Sequence, residues 1–177
     1  MPTLMDGDLI LTDSTAIQVH LAGTHPDHGS SKTPSSFWSS DVAEQAAITD
    51  WLAFAASWVQ YGVFTARTIL SFMGSYNGLG MSSAEQTLGE AKVRGNTSLE
   101  ILQKRLEKEK WLALGRPTIA DTAVFVYVAL APMGDISLDA YPAVKRWIED
   151  IKKLPRFIPI DGLDDPMYRR RAGMEHG

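Results

Sequence analysis

The stretch RPTIADTAVFVYVALAP, residues 116–132, decides the fold. Thr118 and Asp121 stand at the spacing of a reciprocal helix cap. The threonine oxygen accepts from the backbone N–H of residue 121, and the aspartate carboxylate reaches back to the N–H of residue 118. From Thr122 to Ala131 no side chain is charged. A helix apolar on every side has to lie inside other elements, so the sequence predicts a central helix with a helical body around it. Pro132 and Gly134 stop it.

Downstream, YPAVKRWIEDIKKL, residues 141–154, opens on a proline suited to a first helical turn and carries an amphipathic pattern that stops near Pro155. Upstream, one long helical pattern runs from Asp41 to about Phe72. Asp41 and Glu44 have capping spacing, and Trp51, Phe54, Trp58 and Tyr61 recur at steps that put them on one face. Gly74, Asn77, Gly78 and Gly80 break the pattern. A second helix starts at Ser82 with Glu85 completing a capping box, and Leu88, Leu99, Leu102 and Leu106 carry it to about Lys108, weakened at Gly89 and Gly95.

The N-terminal residues read differently. In MPTLMDGDLILTDSTAI, residues 1–17, Pro2-Thr3-Leu4 is a short strand, Asp6-Gly7-Asp8 a turn and Leu9–Thr12 a second strand. Asp13 and Ser14 then open a helix with Ile17, Val19 and Leu21 as its apolar positions, ending near Gly23. Residues 24–38 form a Gly-, Pro- and Ser-rich linker. Its His25-x-Asp27-His28 cluster is read as a polar connector, and no metal is expected. The organisation is therefore a small α/β piece over residues 1–23, the linker 24–38, and an all-helical domain with its tail over 39–177.

Composition narrows the class. The 177 residues are 45% hydrophobic with five tryptophans, enough for a substantial core. No apolar run reaches the ~18 residues of a membrane span, and the N-terminus lacks the basic and apolar regions of a secretory signal. The expected setting is cytoplasmic, away from membranes. A formal net charge of −4 argues against a nucleic-acid binder, and Arg169–Arg171 reads as a solvated tail. With no cysteine in the chain, any thiol chemistry has to use the thiol of a ligand.

Two separated segments resemble one family, the cytosolic glutathione transferases. Met1-Pro2-Thr3-Leu4 followed by Asp13-Ser14-Thr15-Ala16-Ile17 looks like the second half of that family's thioredoxin-like domain. Residues 116–157, with the Thr-Ile-Ala-Asp cap, look like its helical domain. The resemblance implies a mostly α fold: a truncated thioredoxin-like α/β piece followed by the all-α C-terminal domain. It implies glutathione as cofactor or cosubstrate. Met1 and the cis-proline Pro2 would pair with the cysteinyl part, and Asp13 and Ser14 would hold the γ-glutamyl end. A serine hydroxyl and free N–H groups at a helix N-terminus suit a carboxylate, whereas Asp13-Ser14 on residue type alone is also a plain N-cap.

The family's opening β-α-β, with the Tyr, Ser or Cys that bonds the glutathione sulfur, finds no counterpart in this sequence. That leaves the catalytic residue unassigned. On the long helix, Ser57, Tyr61 and Arg67 are candidates to assist the thiolate, and Tyr61, Phe64 and Thr65 to line a pocket for a small hydrophobic conjugated substrate. Tyr61 as a core aromatic and Arg67 as a surface charge are equally open. The late start also implies an exposed strand edge at Met1–Leu4 that the linker, the tail or the partner of a homodimer would cover. The resemblance extends to truncated transferase-like proteins that isomerise activated alkenes by reversible thiol addition. An ordinary conjugating transferase, an upstream strand that restores one, and a non-catalytic interaction module stand beside that reading.

Overall fold

A computed structural model describes residues 2–25, 37–71 and 84–168, with side chains from residue 87 onward in the last stretch. Met1, most of the linker, Ser82 and the Glu85 side chain of the capping box, and Arg169–Arg171 lie outside the described residues.

Strands β1 (Leu4–Asp6) and β2 (Leu9–Leu11) form an antiparallel hairpin with Leu4 opposite Leu11, Met5 opposite Ile10 and Asp6 opposite Leu9. The turn is tighter than the sequence implied. Asp6 still belongs to the strand, and Gly7 takes φ +58, a conformation glycine adopts without steric cost. Leu4 and Leu11 are half-buried, while Met5 and Ile10 stand exposed on the opposite side. Helix α1 (Ser14–Thr24) follows. His20 Nε2 lies 2.8 Å from Asp6 Oδ2, tying hairpin to helix. The Thr122 hydroxyl reaches Gln18 Oε1 at 3.4 Å, tying the helix to the helical domain.

The long helical pattern is helical throughout, but not one α-helix. Helix α2 (Val42–Phe54) passes into a π-helical segment (Ala55–Phe64) and back into helix α3 (Thr65–Ser71). At the exit, Thr65 N–H bonds the Gln60 carbonyl five residues back, and the Thr65 hydroxyl bonds the same oxygen at 2.9 Å. Helix α4 (Ala84–Leu106) lies against this segment. Their backbones nearly touch: a Cβ added to Gly62 would sit 2.6 Å from Gly95 N and 2.8 Å from Gly95 Cα. A position that looked like a weak point in α4 is thus where two helices meet.

Helix α5 (Ile119–Val128) is the central helix the sequence predicted, packed against α1, α2 and the π segment, with only its Val126 edge strongly exposed. Its cap does more than cap. Asp121 Oδ2 accepts from Thr118 N–H (2.9 Å) and from the Thr118 hydroxyl (3.2 Å). Oδ1 accepts from Leu112 N–H and from Trp147 Nε1–H, each at 3.0 Å. This buried carboxylate therefore joins α5, the 107–118 connection and helix α6 (Pro142–Lys152). Burial raises its pKa above the ordinary carboxylate value, the hydrogen bonds opposing. In α6, Val144, Trp147, Ile148 and Ile151 form the buried face. Gln103 Oε1 accepts from Ala143 N–H at 2.9 Å, capping α6 from α4. Of the described residues, none belongs to a helix long and apolar enough to cross a membrane.

Candidate functional site

Asp13 is the N-cap of α1, with β-region backbone and Oδ1 accepting from Thr15 N–H (2.8 Å) and Ala16 N–H (3.4 Å). Oδ2 is not engaged by any described residue. Ser14 occupies the first helical position, exposed, with its hydroxyl unbonded among the described residues. The pair thus presents a carboxylate oxygen, a hydroxyl and the Ser14 N–H at one helix end, the Thr15 and Ala16 N–H groups being taken by Asp13 Oδ1. Those groups match a carboxylate and an ammonium held on adjacent atoms. Pro2 is exposed, and the Met1–Pro2 bond falls outside the described residues.

The candidates on the long helix divide between two faces. Ser57, Trp58, Tyr61 and Arg94 line a cavity of about 120 Å³. Tyr61 and Thr65 also line a neighbouring groove of about 400 Å³ with Glu90 and Arg94 of α4. Phe64 and Arg67 lie elsewhere. The Phe64 ring meets Tyr127 of α5 edge-on at 5.3 Å, and the Arg67 guanidinium lies 5.2 Å from the centre of the Phe64 ring. The structure therefore brings Tyr61 and Thr65 together against α4 and sets Phe64, with Arg67 beside its ring, against α5, the helix on which α1 also packs.

Hydrogen bonding limits what these side chains can donate. The Ser57 hydroxyl donates to the Ala53 carbonyl at 2.7 Å and the Thr65 hydroxyl to Gln60. Tyr61 is not a core aromatic: it is 62% exposed, and its hydroxyl has no partner among the described residues. Trp58, whose spacing suggested packing, is 48% exposed. The π segment explains the outward turn, since its wider winding shifts these residues from where an α-helix would carry them. Arg94 and Tyr127 were not singled out by sequence, because one arginine on a polar helix face and one tyrosine in an apolar helix carry no spacing signal. Of the described residues, no three His, Cys, Asp or Glu gather as a metal site. His25 bonds Thr24, and Asp27 and His28 lie outside the description.

A small hairpin, a capped helix and an all-helical domain with a buried Thr-x-x-Asp staple define a mostly helical, glutathione transferase-type fold. The comparisons agree. Residues 55–155 match the family model described as "Glutathione S-transferase, C-terminal domain", and the chain belongs to that family. Glutathione S-transferase 1 of Zea mays is 27% identical over 169 residues, covering 94% of this chain and 74% of the maize protein. The disulfide-bond oxidoreductase YfcG of Escherichia coli is 30% identical over 119 residues, 67% of this chain and 52% of that protein. Among solved structures, a glutathione S-transferase from Xanthobacter autotrophicus Py2 superposes with a TM-score of 0.76 at 27% identity, covering 93% of this chain and 74% of its own. Members of this family are enzymes that use glutathione.

Proposed function

We propose that this chain holds glutathione at the N-terminal end of α1 and adds its thiol to an electron-poor, mostly hydrophobic substrate. The observation that carries this reading is the open α1 terminus, where the Ser14 hydroxyl and Asp13 Oδ2 are both available at the positive end of the helix. The Ser14 hydroxyl and backbone N–H take the α-carboxylate of the γ-glutamyl end. Asp13 takes its α-ammonium. Met1 and Pro2 pair by backbone with the cysteinyl part, and Phe64, on the α5 side where α1 also packs, contacts the second substrate. Sulfur bonds to the electrophilic carbon as the substrate's π bond opens, the thiol proton passing to solvent and a proton returning to the neighbouring carbon. Two proteins of the fold would pair as a homodimer in the cytoplasm, covering the exposed Met5 and Ile10.

A finer reading is a trans/cis isomerase, as in the olefin isomerase of the pseurotin pathway, in which the adduct rotates about the new single bond and eliminates glutathione unchanged. The support is that Ser57 and Thr65 spend their hydroxyl protons on helix carbonyls. A thiol at its ordinary pKa is a few percent thiolate near neutrality, roughly one part in thirty. Such a site suits alkenes already activated by conjugation, with orientation supplying the rate.

The experiment is to incubate the protein with glutathione and a panel of conjugated enones and dienoates, following adducts and geometric isomers by chromatography. A stable adduct supports the transferase reading, and glutathione-dependent isomerisation without net adduct supports the isomerase. Neither product, with no glutathione binding at millimolar concentration, overturns both in favour of a non-catalytic module.

A further inference from the structure

The grip on glutathione proposed above is divided between two elements. The γ-glutamyl end falls to Asp13 and Ser14 on α1, and the cysteinyl part to the backbone at the start of the hairpin. Only Thr12 and Asp13 stand between β2 and α1. Without a restraint at its far end, the hairpin can swing about that joint. A two-stranded hairpin has little stability of its own with which to resist.

His20 supplies the restraint. Side chains alternate along a strand, so Leu4 and Asp6 face one side of the hairpin and Met5 the other. Leu4 and Leu11 are half-buried and Met5 and Ile10 exposed, which puts Asp6 on the α1 side. From Leu11 back to Leu9 the strand covers about 7 Å. From Ser14 to His20 the helix rises about 9 Å. Strand and helix are thus two arms of similar length leaving one joint, and they meet again at their ends. His20 Nε2 lies 2.8 Å from Asp6 Oδ2. An ionised carboxylate can only accept, so Nε2–H is the donor. The imidazole is 19% exposed and the carboxylate 60%, so the contact holds the hairpin without burying a charge.

We propose that His20 is a positioning residue for glutathione. By holding Asp6 it fixes the backbone of Pro2–Leu4 at the distance from Ser14 that the tripeptide has to span. The inference rests on the glutathione reading of the α1 terminus. A swing of about 10° at the joint moves Pro2, two residues beyond Leu4, by about 1 Å. That displacement is enough to spoil a hydrogen bond. Losing the contact therefore leaves the γ-glutamyl contacts in place and loosens those to the cysteinyl part, and the orientation of the sulfur goes with them.

Titration of the full chain with reduced glutathione, followed residue by residue through backbone amide NMR signals, tests this. In wild type, glutathione should shift the amides of both Ser14–Ala16 and Thr3–Met5. In His20→Leu the Ser14–Ala16 shifts should persist at saturation, the Thr3–Met5 shifts should vanish, and affinity should fall about tenfold. His20→Gln, whose amide nitrogen reaches about as far as Nε2, should recover affinity to within about threefold of wild type. Asp6→Ala alters only an exposed side chain and should reproduce the His20→Leu result, the double variant losing no more than either alone. Wild-type affinity with both sets of shifts intact in His20→Leu and Asp6→Ala overturns the proposal. So does the loss of both sets together, which would make His20 a support of α1 alone, and so do wild-type shifts confined to α1. Wild type in which glutathione moves neither set overturns the glutathione reading itself, and the inference with it.

Discussion

Asp13 carries two roles that substitutions separate. As an N-cap it bonds the N–H groups of Thr15 and Ala16, and asparagine caps about as well as aspartate. Asp13→Asn should therefore leave thermal stability unchanged while weakening glutathione, because the charge facing the α-ammonium is gone. Asp13→Ala should lose both, with helix stability reduced by about 1 kcal/mol and a melting shift of ~2–4 °C. Asp121 is a purely structural carboxylate, 1% exposed with four donors on its two oxygens. Asp121→Ala leaves those donors unpaired and should cost at least about 3 kcal/mol, measured by urea unfolding. Its pKa is raised by burial, so the folded state holds the proton more tightly than the unfolded chain. Its contribution is then largest in acid, below the ordinary value of 3.8, and declines as pH rises through the folded pKa. The stability gap between wild type and Asp121→Asn should narrow from pH ~3.5 to neutrality; a gap that widens would contradict the assignment.

Among the elements, the glycines of the helix seam give graded outcomes. Gly62→Ala would drive a methyl into the Gly95 backbone at 2.6 Å, where nothing can rotate away. The expected loss is about 3 kcal/mol or more, at the upper end of overpacking costs. Gly95→Ala meets chiefly the Cδ1 end of Ile136, also at 2.6 Å but on a side chain that can swing, and should cost less. Gly89→Ala meets nothing within 4 Å and should stabilise by roughly 0.5–1 kcal/mol through helix propensity. Thermal unfolding of the three variants checks the order. The Thr-Ile-Ala-Asp cap, the buried α5 and the amphipathic α6 were all legible in sequence, because capping and periodicity are local signals. The π segment was not. The steps between Trp51, Phe54, Trp58 and Tyr61 are those of an α-helix, and no local signal marks the wider winding of Ala55–Phe64 or the approach of Gly62 to Gly95 of another helix. For the same reason the sequence put Ser57, Tyr61, Phe64 and Thr65 in one pocket region, whereas the structure sends Phe64 to α5 and Tyr61 and Thr65 to α4.

At the scale of the whole molecule, the helical domain builds its own core, and the hairpin leans on it through α1. Among the described residues few bonds hold that lean: the Asp6–His20 contact and the Thr122–Gln18 contact, with Val19 and Ala22 packed on the core. Glutathione bound at the start of α1 would tie this small piece to the rest, so binding should raise the unfolding temperature and slow amide exchange in α1 more than in α5. The candidate site was legible in part. Asp13-Ser14 could be placed at a helix start by sequence, but whether their polar atoms remained open depended on which bonds the fold consumed. The most direct measurement is calorimetric titration of reduced glutathione into wild type and Asp13→Asn. The account predicts saturable binding to wild type at millimolar concentration or below, several-fold weaker in Asp13→Asn at equal thermal stability. No heat of binding to wild type, or identical affinity in the two proteins, would contradict it.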